Sequence, residues 1–470
     1  MNPAREISYS SRLVASLFDP ADSRPIHFVG IGGAGMSALA LAARRRGVSV
    51  SGCDVEDTAF ADLERAGART HLGPDANHIV GARAVIVTAA AAHDHPELVA
   101  ARLAGIPVVP RKEALAALVN GQTLVAIAGT HGKTTTTVMT TEALQAAGLH
   151  PSGLAGGRVA SWGGNALLDG DTLFVVEADE YDQAFLTLQP TIAVINNVEP
   201  DHLECYGSVD AMEAAFVEFA RRADRVLVGT ADKGSDRVAL AVGGSSWRFG
   251  VESGDILVAP RELSASGSIA DITLPDGRKV TLHLQVPGVH NLRNATAALG
   301  VAYALHAPLE PVLAALHDFA GVGRRFERGG VVAGVEFVDD YAHHPTELVA
   351  TLAAARQAYP DHRLVAVFQP HLYSRTREHG EAMGRALAAA DLVVVADVYG
   401  AREQPMAGIS GKMVADAAVA SGAFVVYEPK RAALATEVAD LLREGDVVFT
   451  LGAGDITRVG PEVRAILESR

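Results

Sequence analysis

The sequence predicts an α/β protein of three domains, each built on a sheet whose strands alternate with helices. The first observation is three separate series of short apolar strands, each interrupted by segments of helical length. The second is the length, because 470 residues at roughly 150 residues per domain correspond to about three domains. The third is a pair of glycine-rich loops, each directly after a predicted strand, where α/β domains bind phosphate.

The composition is that of a folded, acidic protein. Apolar residues make up 49% of the chain and charged residues 20%, which excludes a disordered or low-complexity protein. Forty Lys and Arg against 55 Asp and Glu give a net charge of −15, which disfavours a nucleic-acid or membrane-surface binder. Cys53 and Cys205 are too few for a disulfide framework. Because no apolar run approaches ~18 residues and the first 25 residues lack a signal core, we expect a soluble cytoplasmic protein.

The first series of strands and helices begins at Ile26. Its predicted strands are IHFVG, VSVSG and AVIVT, and its helical segments are 36–46, 58–66 and an apolar stripe at 115–119. Short strands alternating with helices predict parallel pairing. We place this first domain at residues 1–119.

Two more series follow along the chain. The second contains the strands TLVAIAG, LFVVEAD and TIAVINN and a helix at 211–222. Between 245 and 286 apolar and polar residues alternate around Pro275-Asp276-Gly277, which predicts a small antiparallel addition with a hairpin. The third series contains RLVAVF, DLVVVAD, AFVVYE and DVVFTLG. We place the central domain at 120–325 and the C-terminal domain at 326–470.

The first glycine-rich loop, GIGGAG at 30–35, fits the G-x-G-x-x-G pattern between a strand and a helix. Its glycines let the backbone approach a pyrophosphate at the helix N-terminus. Asp54 ends the next strand, where it would bind a ribose in a dinucleotide site. The alternative is that the glycines serve only a tight turn.

The second loop, GTHGKTTT at 129–136, is shorter than a full phosphate-binding P-loop, because Ile127 stands where that motif has its first glycine. Successive backbone N–H groups can still surround a polyphosphate. We expect Lys133 on the outer phosphates and Thr134 on magnesium.

Acidic residues follow two strands of the second series, at Glu177 to Glu180 and at Glu199 to His202. Carboxyl ends of parallel strands meet at one edge of a sheet, so these side chains should lie together. Mg²⁺ prefers oxygen ligands, which suits Thr134 and Glu177, with His202 as a less usual nitrogen ligand. The alternatives are a hydrogen-bonded loop histidine and a solvated acidic turn.

Polar runs outside these loops are weaker signals. VHNLRNATAA at 289–298 and DDYAHHP at 339–345 contain side chains that can bind a base, a ribose or a metal, but also cap helices or form turns. GRRFE at 323–327 and FQPHLYSRTRE at 368–378 contain arginines, which suit phosphate or carboxylate. Surface ion pairs are the alternative for each arginine.

Read in order, these motifs resemble one family, the Mur ligases of peptidoglycan synthesis. The resemblance spans most of the chain and rests on HFVGIGGAGMSALA, GTHGKTTTT, EADEYD, NVEPDH, GVHNLRNATAA, GVGRRFE, DDYAHHPTE, FQPHLYSRT, YGAREQPMAGIS and LGAGDI. It implies an N-terminal Rossmann-like UDP-binding domain, a central P-loop ATPase-like domain with a small antiparallel addition, and a C-terminal Rossmann-like α/β domain.

The resemblance also implies roles for individual residues. UDP-sugar binding falls to Gly32, Gly33, Ala34, Gly35, Met36, Ser37 and Asp54, which replaces the dinucleotide interpretation. ATP binding falls to Gly129, Thr130, His131, Gly132, Lys133, Thr134, Thr135, His290, Asn291, Asn294 and Arg325. Magnesium would be held by Thr134, Glu177 and His202, and the amino acid by Tyr341, His343, His371 and Arg375. No lysine occurs from Leu203 to Arg222, so the carbamylated lysine of many sister ligases should be absent.

The implied activity is an ATP- and Mg²⁺-dependent ligation in cell-wall biogenesis, which supports cell shape and division. L-alanine would be joined to the lactyl carboxylate of UDP-N-acetylmuramate through an acyl phosphate, with Lys133, His202, Arg325 and His343 as the catalytic residues. A ligase of murein recycling shares this chemistry but takes a peptide. A NAD-dependent oxidoreductase or a non-catalytic nucleotide switch would leave one of the two loops unexplained.

Overall fold

The computed structural model describes residues 16–244, 246–251, 253–264, 267–401 and 403–470. Positions 1–15 of the segment expected to lack a signal core, and position 402 of YGAREQPMAGIS, lie outside these residues. The chain divides into two compact units. The first unit contains the chain up to Val258 together with Ile272–Lys279 and Arg293–Leu316. The second contains Ala259–Asp271, Val280–Leu292 and His317–Arg470.

The first sheet has five parallel strands in the order β3-β2-β1-β4-β5. They are β1 (Ile26–Val29), β2 (Val50–Asp54), β3 (Arg69–Leu72), β4 (Ala84–Val87) and β5 (Val108–Pro110). The helices are α1 (Ala34–Arg45), α2 (Phe60–Arg65), α3 (Pro96–Ala104) and α4 (Arg111–Val119). The chain reverses its direction of winding at β1, so the first glycine loop, directly after β1, lies at the crevice where such sheets bind ligands.

Most strands of the second sheet also belong to the first unit. Its strands are β6 (Thr123–Ala128), β7 (Ser152–Val159), β8 (Gly164–Leu168), β9 (Leu173–Glu177), β10 (Ile192–Ile195), β11 (Arg225–Gly229) and β12 (Ser246–Val251), followed by β13 (Ile256–Ser264), β14 (Gly267–Thr273) and β15 (Lys279–Leu284). The order is β15-β14-β13-β12-β11-β10-β6-β9-β7-β8. The residues of β13, β14 and β15 are divided between the two units.

Six helices accompany this sheet in the described residues. They are α5 (Lys133–Ala146), α6 (Leu203–Tyr206), α7 (Val209–Arg221), α8 (Lys233–Val242), α9 (Val289–Ala304) and α10 (Leu309–His317). The predicted hairpin forms between β14 and β15, where the Leu274 N–H donates to the Arg278 carbonyl at 2.8 Å. Gly277 in this turn has a φ of +84°, a conformation that glycine adopts without strain.

The third sheet belongs to the second unit and has the order β16-β17-β21-β18-β19-β20. The strands are β16 (Glu327–Val332), β17 (Val335–Asp340), β18 (Arg363–Phe368), β19 (Leu392–Ala396), β20 (Val425–Glu428) and β21 (Asp446–Leu451). Only β16 pairs antiparallel among the described pairs of this sheet. The helices are α11 (Pro345–Ala358), α12 (Tyr373–Leu387), α13 (Gly411–Ala420), α14 (Arg431–Leu441) and α15 (Val459–Glu468).

The α/β fold class and the parallel pairing are confirmed. Every strand predicted above forms, but β3, β5, β7, β8, β11, β16 and β17 were not predicted. The reason is local: β3 reads RTHL and is only partly buried, while β7 contains three glycines, so neither has the apolar signature of a strand. Strand β12 lies in the stretch expected to be antiparallel but pairs parallel with both β11 and β13. The domain limits at 119/120 and 325/326 stay predictions. None of the described helices is both long and apolar enough to cross a membrane.

Helices α12 and α13 of the second unit pack closely at a glycine. A Cβ on Gly384 would lie 2.5 Å from the Val414 carbonyl and from the Ala417 Cβ. On the same helix a Cβ on Gly380 would have only ordinary neighbours, the nearest at 3.7 Å. The two glycines therefore differ in packing but share a helical environment.

We expect Gly384→Ala to lower the free energy of unfolding by about 1–3 kcal/mol, because overpacking outweighs the gain in helix propensity. Gly380→Ala is the matched control, and we expect it to be neutral or to stabilise by up to about 1 kcal/mol. Urea unfolding followed by circular dichroism measures both. Equal effects of the two substitutions would contradict the close approach of α12 and α13.

Candidate active site

The second glycine loop connects β6 to α5 and depends on two glycines. Gly129 has a φ of +128° and Gly132 a φ of +78°, both in the range that favours glycine. A Cβ on Gly129 would lie 3.0 Å from the backbone of Asn196 and Asn197, and one on Gly132 would lie 2.6 Å from Asn294 Oδ1. The loop is therefore a tight backbone turn with no room for larger residues at these two positions.

The residues after β10 hold the loop in place. Thr130 Oγ1 donates to the Glu199 carbonyl at 3.0 Å and accepts from the Glu199 N–H at 2.9 Å. The His131 N–H donates to Asn197 Oδ1 at 2.7 Å, and His131 Nε2 lies 2.9 Å from a Glu199 carboxylate oxygen. The shape of the loop is thus held by contacts with Asn197 and Glu199.

The loop presents the N-terminus of α5 to a ligand. Gly132 supplies no capping side chain, so N–H groups of the first helical turn are available to an anion. Thr134 and Thr135 are both 6% exposed in this turn. Asn294 belongs to the same hydrogen-bond network, because Thr136 Oγ1 donates to its side-chain oxygen at 3.2 Å.

Lys133 forms an ion pair with Glu180, and its ammonium lies 2.8 Å from both carboxylate oxygens. The same ammonium donates to the Gly129 carbonyl at 2.7 Å. Burial alone would lower the pKa of Lys133, but Glu180 and Asp179 outweigh it and the pKa is raised. The lysine is therefore a fixed cation at the phosphate loop.

Burial also raises the pKa of Glu180, which is only 2% exposed, although Lys133 opposes that rise. Glu180 lies in the acidic run that follows β9, and no role was predicted for it from the sequence. The available signal was its position three residues after Glu177, the last residue of β9.

The predicted metal ligands come from three elements of the first unit. Glu177 ends β9, and its carboxylate accepts the Gly156 N–H. His202 has a φ of +53° and packs its ring edge-on against Tyr181 at 5.1 Å. The carboxylate and the Thr134 hydroxyl are oxygen donors of the kind that Mg²⁺ takes, so these side chains fit the predicted ion.

The first glycine loop interacts with Asp54. The Gly32 N–H donates to Asp54 Oδ2 at 2.8 Å, and the Val55 N–H donates to Oδ1 at 2.7 Å. The carboxylate therefore supports the loop in this structure. The Arg111 guanidinium also lies directly against Gly35 of the same loop. This contact was not predicted, because Arg111 is far from Gly35 in sequence.

The start of α1 is fixed by another element of the first unit. Asn165 of β8 donates to the Ala34 carbonyl and to Ser37 Oγ, the latter at 2.9 Å. Ser37 itself donates to the Gly33 carbonyl at 3.0 Å. Met36 is buried in the core, which makes it a packing residue of this loop.

The second unit brings the predicted amino-acid-end residues together. The Tyr341 and His343 rings meet edge-on at 5.1 Å, and the His343 and His371 rings at 6.2 Å. The Arg375 guanidinium lies 3.4 Å from His371 Nδ1 and is buried. Arg325 lies over the Tyr341 ring at 5.1 Å. Five residues separated by up to 50 positions in sequence thus form one cluster.

A buried carboxylate supports this cluster. Asp340 accepts the N–H groups of Phe326 and Ala342 at 2.7 and 2.8 Å. Burial raises the pKa of Asp340 to about 6, against the opposing effect of Arg325. Asp340 therefore ties the segment that contains Arg325 to the strand end that precedes Tyr341.

His290 and Asn291, predicted to bind ATP, lie at the start of α9 in the second unit. The Asn291 side chain donates to the Pro287 carbonyl at 2.8 Å. A Cβ on Gly288, which has a φ of +97°, would lie 2.5 Å from the His290 ring. Their role toward a nucleotide stays a prediction, as do the roles of the other predicted site residues.

Comparison with known proteins identifies the class of enzyme. Three family models match: "Mur ligase family, catalytic domain" at residues 25–123, "Mur ligase middle domain" at 127–302, and "Mur ligase, glutamate ligase domain" at 324–454. The chain belongs to the Mur ligase family and is a ligase, which confirms the resemblance found in its motifs.

Individual relatives within this family have more specific names. The chain is 44% identical to the UDP-N-acetylmuramate–L-alanine ligase of Streptomyces avermitilis, over 94% of this chain and 97% of the relative. It is 43% identical to the ligase of the same name from Cutibacterium acnes, over 98% and 100%. Among solved structures, UDP-N-acetylmuramate-alanine ligase MurC of Thermotoga maritima matches with a TM-score of 0.81 and 32% identity, over 95% and 99%. A murein peptide ligase of Psychrobacter arcticus matches with a TM-score of 0.73 and 25% identity, over 95% and 99%.

We expect Glu180→Gln to lower the free energy of unfolding by about 1–3 kcal/mol, because Lys133 loses its buried carboxylate partner. We also expect ATP to raise the Tm of this variant more than that of the parent, because phosphate replaces the missing negative charge. Thermal unfolding with and without ATP measures both effects.

Glu218→Gln is the control, because Glu218 forms an exposed ion pair with Arg222. It should change stability by no more than about 0.5 kcal/mol and leave the effect of ATP unaltered. If ATP shifts the Tm of Glu180→Gln by the same amount as the parent, or by less, Glu180 and phosphate do not compete for Lys133.

Proposed function

We propose that the protein joins L-alanine to the lactyl carboxylate of UDP-N-acetylmuramate, using ATP, as the first peptide-adding step of peptidoglycan synthesis. The observation that supports this most strongly is the identity of 43–45% over at least 93% of the chain with relatives named for that reaction. The phosphate loop with Lys133 in its first helical turn supports the use of ATP. A cytoplasmic location is the corresponding proposal.

The first unit is proposed to hold both nucleotides. UDP would bind at the loop after β1 through Gly32 and Gly33, and ATP at the loop after β6 around Lys133. The domain limits proposed above, 1–119, 120–325 and 326–470, are supported by the similar limits of the three family matches.

The chemistry requires activation, because direct attack of an amine on a carboxylate would have to expel oxide. A lactyl carboxylate oxygen attacks the terminal phosphorus of ATP, the bond to the bridging oxygen breaks, and ADP leaves. The alanine amine then attacks the acyl carbon, phosphate leaves with the bonding electron pair, and the nitrogen loses a proton. An amide, ADP, phosphate and one proton result.

Positive charge is the main contribution of the chain to the first step. Two anions must approach, and fixed cations lower that barrier without reorganising during the reaction. Lys133 is the proposed cation on the transferring phosphoryl group, and Arg325 the proposed second one. Magnesium, held by Thr134, Glu177 and His202, would neutralise phosphate charge when bound.

The second unit is proposed to hold the amino acid. A planar guanidinium binds a carboxylate through two parallel hydrogen bonds, which suits Arg375 to the unreacting carboxylate of L-alanine. His371, 3.4 Å from that guanidinium, would position it. His343, whose Nδ1 lies 2.9 Å from the Tyr341 carbonyl, is a candidate to accept the amine proton, with His202 as the alternative.

Murein peptide ligation is the second candidate function, favoured by the match to the Psychrobacter arcticus enzyme. Phosphate release from ATP with UDP-N-acetylmuramate, measured with free L-alanine and with the recycled tripeptide in parallel, distinguishes the two. We expect release with L-alanine only. Preference for the tripeptide would replace the proposed substrate, and no release with either acceptor would contradict a ligase of this type.

We expect Lys133→Ala to abolish turnover, with a loss of about 10³-fold or more by analogy with the effect of an arginine finger. The fold should persist with a stability loss of about 1–3 kcal/mol, because Glu180 loses its buried partner while the apolar cores are unchanged. Steady-state phosphate release together with a melting curve tests this. Activity within tenfold of the parent would contradict the assignment of Lys133.

We expect Arg375→Ala to raise the KM for L-alanine and lower kcat, while the affinity for ATP stays near the parent value. Arg375→Lys should rescue only in part, because an ammonium lacks the two parallel donors of a guanidinium. Kinetics with L-alanine varied at saturating ATP and UDP-sugar measure the KM for L-alanine and kcat separately. An unchanged KM for L-alanine would move that role to Tyr341 and His343.

A further inference from the structure

A cluster of side chains that could bind a metal lies in the first unit, in the layer between β1, β2 and α3. His27 of β1, Cys53 of β2 and Glu97 of α3 place a nitrogen, a sulfur and an oxygen within 4.8 Å of one another. The side chains of His27 and Glu97 are fully buried, and Cys53 is 2% exposed. Neither the family matches nor the proposed reaction assigns these three residues a role.

The surroundings make this cluster unusual. It sits in a small apolar core formed by residues such as Val29, Ile79 and Leu98. Polar groups are costly in such a place unless each one has a partner. In this cluster each of the three polar side chains has a polar partner.

His27 and Cys53 both point at one carboxylate oxygen of Glu97. Glu97 Oε2 lies 3.0 Å from His27 Nε2 and 2.8 Å from Cys53 Sγ. The other ring nitrogen of His27 lies 3.0 Å from Ser51 Oγ. This is the arrangement of a metal-binding histidine, in which one nitrogen is held by an outer partner and the other faces the ion.

A second imidazole approaches from the solvent side. His78 Nδ1 lies 2.7 Å from Glu97 Oε1, and its side chain is 17% exposed. Its ring stacks on His71 at 4.1 Å. His78 is therefore the nearest additional nitrogen to the cluster, and the partly exposed pair of rings offers a route for an ion from solvent.

We propose that His27, Cys53 and Glu97 form a zinc site, with His78 as a positioning residue that holds the second carboxylate oxygen of Glu97 from outside the site. Imidazole nitrogen, thiolate sulfur and carboxylate oxygen are together the ligands of Zn²⁺. Mg²⁺ prefers oxygen ligands and retains water, so this buried set of mixed donors discriminates against the ion expected at the phosphate loop.

The geometry requires only a small adjustment. Metal–ligand distances of about 2.0 Å for nitrogen and oxygen and about 2.3 Å for sulfur, at tetrahedral angles, separate the ligand atoms by about 3.3–3.5 Å. The two contacts to Glu97 Oε2 are shorter than this by about half an ångström, and a small rotation of the Glu97 side chain removes the difference. Binding displaces the Cys53 thiol proton, which burial otherwise retains by raising the pKa of that thiol.

Cobalt provides a direct test, because Co²⁺ occupies zinc sites and its bond to a thiolate gives a charge-transfer absorption band in the near ultraviolet. Cys205→Ser leaves Cys53 as the only cysteine of the chain, so any thiolate band in that variant reports Cys53. The full-length variant is stripped of metal with EDTA, returned to excess Mg²⁺ to occupy sites for hard cations, and titrated with Co²⁺.

We expect one equivalent of Co²⁺ with a thiolate band, displacement of the band by Zn²⁺, and a higher Tm with Zn²⁺ than with Mg²⁺ alone. Adding Cys53→Ser to the same background should remove the band and one equivalent of tightly bound metal, with circular dichroism as the check on folding. His78→Asn should weaken Co²⁺ binding at least tenfold but retain the thiolate band.

Absence of the band from Cys205→Ser would overturn the proposal, and the cluster would then be only a hydrogen-bonded support between β1, β2 and α3. A band that survives the addition of Cys53→Ser would also overturn the proposal. Because no step of this test reads ligase activity, its failure leaves the proposed function unaffected.

Discussion

The buried ion pair between Lys133 and Glu180 is the interaction on which the candidate active site depends. It places a permanent cation beside the backbone of the phosphate loop, and it does so where burial alone would favour the neutral amine. The Glu180 carboxylate neutralises that cation. Under the proposed function a phosphate would require the same ammonium, so ATP binding at this loop would exchange one anion for another.

Other elements of the first unit position the loop and the ion pair. Strands β6, β9 and β10 are parallel neighbours, so the loop, the acidic residues after β9 and the residues after β10 meet at one edge of the sheet. Glu199 and Asn197 then fix the loop from the side. In the second unit Asp340 has a comparable supporting role, because its carboxylate joins the backbone directly after Arg325 to the backbone directly after Tyr341.

Sequence analysis predicted the fold class, the strands with continuous apolar runs and both glycine loops, because these features depend on residues close together in the chain. It also grouped Tyr341, His343, His371 and Arg375 correctly as neighbours, but only through the family resemblance. It missed Glu180, Arg111 and Asn165, since each acts through a contact between segments distant in sequence. It missed β7 and β8 because three glycines and a bend replace the usual apolar alternation.

The hairpin of β7 and β8 has a broader consequence. It lies at the edge of the second sheet and packs on α1, the helix that begins at the first glycine loop, with Asn165 joined to the start of that helix. The two glycine loops consequently belong to one compact unit, although they come from different sheets. Their spacing is fixed by side-chain contacts and not by the length of the connecting chain, so a short insertion at residues 120–122, between α4 and β6, should leave that spacing unchanged.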